Sequence, residues 1–180
     1  GDMRWNKSFR GGDSIYAENI YTKRWETFGT YQLPIKEKIL FQFSANAHNQ
    51  NSVYGKTIYL AQQNIGFGQF TWNKQLGSKN DLLIGAALRY TFYDDNTPAT
   101  ATFDTVNTPA NKPSITYLPG IFVQDEITLN ECNKFLIGLR YDYNSIHGNI
   151  FTPRLNYKLS SKNKKNILRV SAGNGYRVAN

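Results

Sequence analysis

The sequence lacks several features on which common classes of protein depend. It has one cysteine, Cys132, among 180 residues, so a disulfide within the chain is excluded. No apolar run approaches the ~20 residues of a membrane-spanning helix, so insertion into a membrane would require a barrel of strands. Neither a phosphate-binding glycine loop nor a catalytic set of side chains is recognisable. We therefore predict that the chain is not an enzyme and holds no cofactor and no metal.

Positive charge is abundant but lacks a concentrated basic face. Lys and Arg number 21 against 13 Asp and Glu, which gives a formal net charge of +8. Such a balance is typical of nucleic-acid-binding proteins. Here the cations are scattered, and the densest group, Lys162, Lys164 and Lys165, lies in a predicted turn. Because short charged runs are usually solvated, we expect no nucleic-acid partner.

Apolar and polar residues alternate with a period of two along most of the chain. Leu139 and Tyr141, for example, fall on one face of a strand, and Arg140 and Asp142 on the other. About eight such segments follow one another, separated by polar or glycine-bearing turns, as in repeated hairpins. The sequence therefore predicts an all-β fold, an antiparallel up-and-down meander of about eight long strands.

The predicted strands and connections resemble those of a membrane barrel. The strands run to about 10 residues, longer than the globular average of ~5–6. The predicted connections alternate in length, with short ones at 33–37, 74–81, 129–134 and 160–166, medium ones at 50–56 and 145–149, and a long one at 94–115. Outer-membrane barrels have short turns at one end and longer loops at the other. This favours part of a large transmembrane β-barrel, while a small complete eight-stranded barrel or a β-sandwich that binds a ligand stays the alternative.

The polar face of the predicted strands suits a hydrated lumen. The candidate lumen-facing residues are Arg24, Glu26, Gln42, Ser44, Asn46, Arg89, Arg140, Asp142 and Arg154. An arginine at mid-membrane on the opposite face costs ~2–4 kcal/mol. The sequence therefore predicts that Leu139→Arg disrupts membrane insertion and that Arg140→Leu does not.

Candidate ligand-binding residues lie near the predicted ends of the strands: His48, Asp94, Asp95, Asn96 and His147. The three consecutive residues from Asp94 place oxygen-bearing side chains at the start of the long loop, and calcium takes such ligands. They lack the glycine and the distant glutamate of an EF-hand loop, and turn formation by Asx side chains is the competing explanation. For the two histidines, solvated rim positions compete with ligand contact.

Five segments, in order, resemble the barrel of TonB-dependent outer-membrane receptors of Bacteroidetes-like bacteria. They are residues 93–100 (YDDNTPAT), 122–126 (FVQDE), 138–142 (GLRYD), 151–155 (FTPRL) and 171–180 (SAGNGYRVAN). The resemblance implies a barrel of ~22 strands with a plugged lumen in the outer membrane of a Gram-negative bacterium. It further implies uptake of a scarce nutrient such as a ferric siderophore, haem or cobalamin. The implied partners are outer-membrane lipid, TonB, the plug domain of the parent receptor and the small-molecule nutrient.

The sequence departs from that family pattern in its extent. No plug domain, TonB box or terminal aromatic residue is recognisable, and about eight strands are too few to close a barrel of that size. We therefore expect residues 1–180 to form an internal segment of the barrel wall, with the plug domain and the barrel C-terminus absent. Such a segment is not expected to transport anything by itself.

Overall fold

The computed structural model describes residues 6–12, 14–103 and 109–176. Its ten strands are β1 Glu18–Gln32, β2 Lys38–Tyr54, β3 Thr57–Leu76, β4 Asn80–Asp95, β5 Ala101–Phe103, β6 Pro109–Asn111, β7 Ser114–Thr128, β8 Asn133–Asn144, β9 Gly148–Ser160 and β10 Ile167–Gly173. Two 3-10 turns, Lys7–Phe9 and Pro98–Thr100, complete the elements. No described helix has the length and apolar character needed to cross a membrane.

Eight of the strands form one sheet in chain order, β1-β2-β3-β4-β7-β8-β9-β10. Strands β5 and β6 pair with each other inside the long connection after β4. The pairs β7–β8, β8–β9 and β9–β10 are antiparallel. The predicted all-β meander of about eight long strands is therefore confirmed.

The predicted alternation of connection lengths is wrong at two positions. Residues 50–54, expected in a loop, continue β2, and the turn to β3 is only Gly55-Lys56. Gly55 has a φ of +58°, the left-handed conformation that two-residue hairpin turns favour. The connection expected at 145–149 is a three-residue turn, 145–147. The connection between β4 and β7 is thus the single long one in the described sheet.

The chain forms two compact units. The first, which we call the loop unit, comprises Gly1–Phe28, Ser44–Gly66 and Tyr90–Thr116 and includes the long connection. The second, the turn unit, comprises Gly29–Phe43, Phe67–Arg89 and Tyr117–Asn180. Strands β1 to β4 and β7 each contribute residues to both units.

The strand register in the turn unit separates an apolar from a polar face. Leu139 lies opposite Val123 on β7 and Pro153 on β9, whereas Arg140 lies opposite Phe122 and Thr152. Because successive side chains of a strand point to opposite sides, the apolar set on these strands shares one face. Its members include Ile121, Val123, Phe135, Ile137, Leu139, Tyr141, Phe151, Leu155, Leu168 and Val170.

The apolar face is not covered by the described part of the chain. Ile121 and Phe151 are 61% and 60% exposed, and only Val53 and Ala87 are buried apolar residues among those described. A water-soluble domain of this size normally encloses a substantial core of such side chains. The exposed apolar face therefore needs an apolar environment supplied from outside these residues.

Candidate functional site

The polar face of the turn unit contains an ion pair in which the carboxylate is buried and the guanidinium is partly exposed. Asp142 on β8 is fully buried. Arg140, two residues earlier on the same face, donates from Nε to Oδ2 and from Nη2 to Oδ1 of Asp142, each at 2.7 Å. The guanidinium also lies 5.5 Å from the centre of the Phe122 ring. A two-point guanidinium–carboxylate contact over an aromatic ring fixes both side chains in one orientation.

Gly120 makes room for this ion pair. It lies directly opposite Asp142 in the ladder between β7 and β8. A Cβ atom at Gly120 would collide with Oδ1 of Asp142 and lie 3.2 Å from Nη2 of Arg140. The absence of a side chain at residue 120 therefore leaves space above β7 in which the Asp142 carboxylate and the Arg140 guanidinium, both from β8, meet.

The other candidate lumen-facing residues make separate and weaker contacts. Arg24 and Glu26 form an ion pair of 2.6 Å on β1, with side chains 61% and 54% exposed. Water screens such a pair, so it adds little to stability. Gln69 donates to Gln42 at 3.1 Å. Of the remaining candidates, Ser44 and Asn46 are half-buried, and Arg89 and Arg154 are exposed.

Asp95 holds the start of the long connection in place. Its Oδ1 accepts hydrogen bonds from the backbone N of Thr97 at 2.9 Å and from the Thr97 hydroxyl at 2.8 Å. Its Oδ2 accepts from the hydroxyl of Tyr93 at 2.7 Å, and that hydroxyl lies 3.0 Å from the hydroxyl of Tyr59 on β3. Both carboxylate oxygens are therefore used within the protein, in the manner of an Asx turn.

The Asn96 side chain is also hydrogen-bonded, whereas one carboxylate oxygen of Asp94 is not. The Asn96 amide accepts from the backbone N of Leu60 and donates to the carbonyl of Ile58, each at 2.8 Å. Oδ2 of Asp94 accepts from Asn111 at 3.2 Å. Oδ1 of Asp94 is buried and has no hydrogen-bond partner among the described residues.

A cavity of about 690 Å³ brings the three predicted loop residues together in the loop unit. Asp94, Asp95 and Asn96 line it together with residues that include Gln50 and Gln62. Carboxylate and amide groups are the hydrogen-bonding groups that orient polar ligands. Of the predicted loop residues, Asp94 is the one with a carboxylate oxygen that accepts no hydrogen bond from the described residues, and that oxygen is buried from solvent.

The two predicted histidines are not brought into this cavity. His48 is half-buried in β2 of the loop unit, and His147 is exposed in the turn 145–147 of the turn unit. The backbone N of His147 donates to Oδ1 of Asn144 at 3.0 Å. Among residues 6–12, 14–103 and 109–176, no group of three or more His, Cys, Asp and Glu side chains is placed to hold a metal.

Sequence reasoning missed a polar cluster at the turn after β1. Nε1 of Trp72 donates to Oε2 of Glu37 at 2.8 Å, and Nζ of Lys74 lies 3.4 Å from Oε1. The Lys74 ammonium also lies 5.0 Å from the Trp72 ring centre. The partners are 35 and 37 positions apart, so no local pattern shows the contact. The one sequence signal was the position of Trp72 just before the predicted connection at 74–81, because tryptophan is favoured at membrane interfaces.

This cluster gives a pH-dependent prediction. The hydrogen bond from Trp72, assisted by the Lys74 charge, lowers the pKa of Glu37 from its usual 4.5. A carboxylate with a lowered folded-state pKa stabilises the fold above its unfolded pKa and loses that contribution as the pH falls through the folded value. We therefore expect tryptophan emission to change as the pH falls below about 4.5, and Glu37→Gln to abolish the change. The turn variant Glu131→Gln is the control and should keep it.

Comparison with known proteins agrees with the geometry. The family of β-barrels described as TonB dependent receptor-like matches residues 2–180. The siderophore receptor PirA from Acinetobacter baumannii superposes with a TM-score of 0.66 at 14% identity, over 90% of this chain and 26% of that one. The siderophore receptor PirA from Pseudomonas aeruginosa gives 0.56 at 15% identity, over 81% and 24%. No curated protein matches.

A meander of long antiparallel strands with one exposed apolar face defines a wall section of an outer-membrane β-barrel. The chain belongs to the TonB dependent receptor-like β-barrel family. Barrels of this family are outer-membrane proteins of Gram-negative bacteria. The chain spans about a quarter of the length of the two solved receptors.

Proposed function

We propose that this chain is a section of the barrel wall of a receptor that takes up a scarce nutrient across the outer membrane. The candidate nutrients are a ferric siderophore, haem and cobalamin, and the energy comes through TonB. The family match over residues 2–180 carries the proposal. In this proposal the chain has no enzymatic role, and its partners are lipid, TonB, the plug domain of the same receptor and the nutrient.

In this arrangement the apolar face contacts lipid and the polar face lines the lumen. The exposure of Ile121 and Phe151 supports the first assignment, because neither has a protein core to enter among the described residues. The charged Arg140–Asp142 pair on the opposite face supports the second. Charged pairs are tolerated beside a hydrated lumen and are costly against hydrocarbon.

We assign nutrient contact to the cavity at the start of the long connection. In this proposal Asp94 supplies a negative charge beside the cavity, while Asp95 and Asn96 fix the shape of the loop. His48 and His147 are rim positions in this proposal. The alternative of a complete small barrel has no observation in its favour, because β1 and β10 stand at opposite ends of the described sheet and do not pair.

Uptake by a strain that lacks only this receptor tests the proposal. We expect the deletion strain to lose uptake of one of the three nutrients. Expression of the full receptor in that strain should restore this uptake only when TonB is active. Asp94→Asn should weaken nutrient binding several-fold, since it removes a charge beside the cavity. Asp81→Asn, at the other end of β4, is the matched control and should bind as the wild type does. Unchanged uptake of all three nutrients in the deletion strain would exclude this function.

A further inference from the structure

The apolar face of the turn unit carries a long groove of about 670 Å³. Its lining includes Ile39, Phe70, Trp72, Ala86, Val123 and Leu139, which come from β2, β3, β4, β7 and β8. Neighbouring strands lie ~4.8 Å apart, so a groove over five strands extends for roughly 20 Å. One leaflet of a bilayer has a hydrocarbon depth of ~15 Å. The groove is therefore about as long as one acyl chain.

The floor of the groove is formed by a small side chain. Ala86 is exposed on the same face of β4 as Ile84 and Leu88, which are 38% and 50% exposed. The single methyl group of Ala86 leaves a depression between these larger neighbours. Apart from Thr71, every residue that lines the groove is apolar, aromatic or glycine. A flexible hydrocarbon chain matches both the shape and the polarity of this depression.

One end of the groove has the chemistry of a headgroup site. Trp72 lines the groove, and its indole N–H points to Glu37, beside which the Lys74 ammonium lies. Tryptophan and lysine are the side chains that anchor proteins at the boundary between hydrocarbon and headgroups. The single indole N–H is taken by Glu37, but the Lys74 ammonium has three donors and can bind a phosphate in addition to Glu37.

The turns of the turn unit carry a net positive charge near the end of the groove where Trp72 and Lys74 lie. The turns at 33–37, 77–79, 129–132 and 161–166 contain five lysines and two glutamates: Lys36, Lys79, Lys162, Lys164 and Lys165 against Glu37 and Glu131. Clusters of cations beside a membrane-embedded segment attract anionic lipid headgroups. The charge therefore favours an anionic lipid over a neutral one.

We propose that the groove is a binding site for a single anionic phospholipid. One acyl chain lies over Ala86 between Phe70 and Leu139, and the phosphate lies at Trp72 and Lys74. The inference rests on the proposed function, because it requires the apolar face to lie in the membrane. A second copy of the protein is a poorer occupant, since the lysine-bearing turns of both copies would repel each other.

Native mass spectrometry of the full receptor in mild detergent tests the site. The probes are phosphatidylglycerol, which is anionic, and phosphatidylethanolamine, which has no net charge. We expect the wild type to retain one phosphatidylglycerol at a lower lipid concentration than phosphatidylethanolamine. Ala86→Phe fills the groove and should reduce retention of both lipids about tenfold. Lys74→Gln should weaken phosphatidylglycerol binding about fivefold and phosphatidylethanolamine binding less, so that the preference for phosphatidylglycerol narrows.

The control is Ala172→Phe, the same change at an exposed alanine on the apolar face of β10, outside the groove. It should retain lipid as the wild type does. Equal retention by wild type and Ala86→Phe overturns the proposal, as does an unchanged preference for phosphatidylglycerol in Lys74→Gln. The proposal is also overturned if the wild type forms a dimer without bound lipid and Ala86→Phe dissociates that dimer. The groove would then bind a second copy of the protein. Nutrient uptake is measured in parallel, so failure of the lipid site and failure of the transport proposal are separate results.

Discussion

The full receptor carrying Leu139→Arg should fail to accumulate in its folded form in the outer membrane. Leu139 lies in the middle of β8, is 49% exposed and faces the apolar side opposite Val123 and Pro153. An arginine near the bilayer midplane on the lipid face costs ~2–4 kcal/mol. Heat-modifiable migration in gels, which separates folded from unfolded barrels, measures the folded fraction in isolated outer membranes.

Leu136→Arg is the matched control for this prediction. It makes the same substitution in the same strand but on the polar face, where Leu136 lies opposite Glu126 on β7 and Asn156 on β9. The new guanidinium can pair with the Glu126 carboxylate beside water, so we expect near-normal accumulation. Equal loss of folded receptor in the two variants would show that the assignment of the faces is wrong.

The two faces of β8 were predictable from the sequence because a strand sets side-chain direction by its backbone alone. Alternation placed Leu139 and Arg140 on opposite sides, and the register confirms this at both positions.

The ends of the strands were less predictable. The polar stretch from Asn49 to Ser52 suggested a loop, yet β2 continues to Tyr54. Backbone hydrogen bonds to a neighbouring strand hold a strand together whatever its side chains are, so the polar composition of this stretch did not mark the turn.

The roles of individual polar side chains depended on contacts between distant segments. The sequence identified Asp94, Asp95 and Asn96 as three equivalent oxygen donors. In the structure Asp95 accepts hydrogen bonds from Tyr93 and Thr97, and Asn96 is hydrogen-bonded to the backbone of β3. Of the three residues, Asp94 alone has a carboxylate oxygen without a hydrogen-bond partner among the described residues. No sequence pattern distinguishes these roles, because they depend on which strand lies beside the loop.

The same limitation applies to Arg140, whose ion pair with Asp142 gives it a role in stability that its place on the polar face did not indicate. Arg140→Leu should destabilise the receptor, because it leaves the fully buried Asp142 carboxylate without its cation. Because the Arg140 side chain is 34% exposed, we expect a cost below the roughly 3–5 kcal/mol of a fully buried pair. A lower midpoint of denaturant unfolding in reconstituted membranes measures this loss. Arg154→Leu, at an exposed arginine on the same face, should shift the midpoint little.

A double substitution separates the lost charge partner from lost packing. Arg140→Leu with Asp142→Asn removes the stranded charge but keeps the shape of the side chain beside Gly120. If the penalty arises from an uncompensated buried charge, the double variant should regain most of the stability that Arg140→Leu loses. If it arises from the packing of the Arg140 stem and guanidinium on Phe122, the double variant should be as unstable as Arg140→Leu alone. The buried position of Asp142 favours the first outcome, and equal instability of the two variants would contradict it.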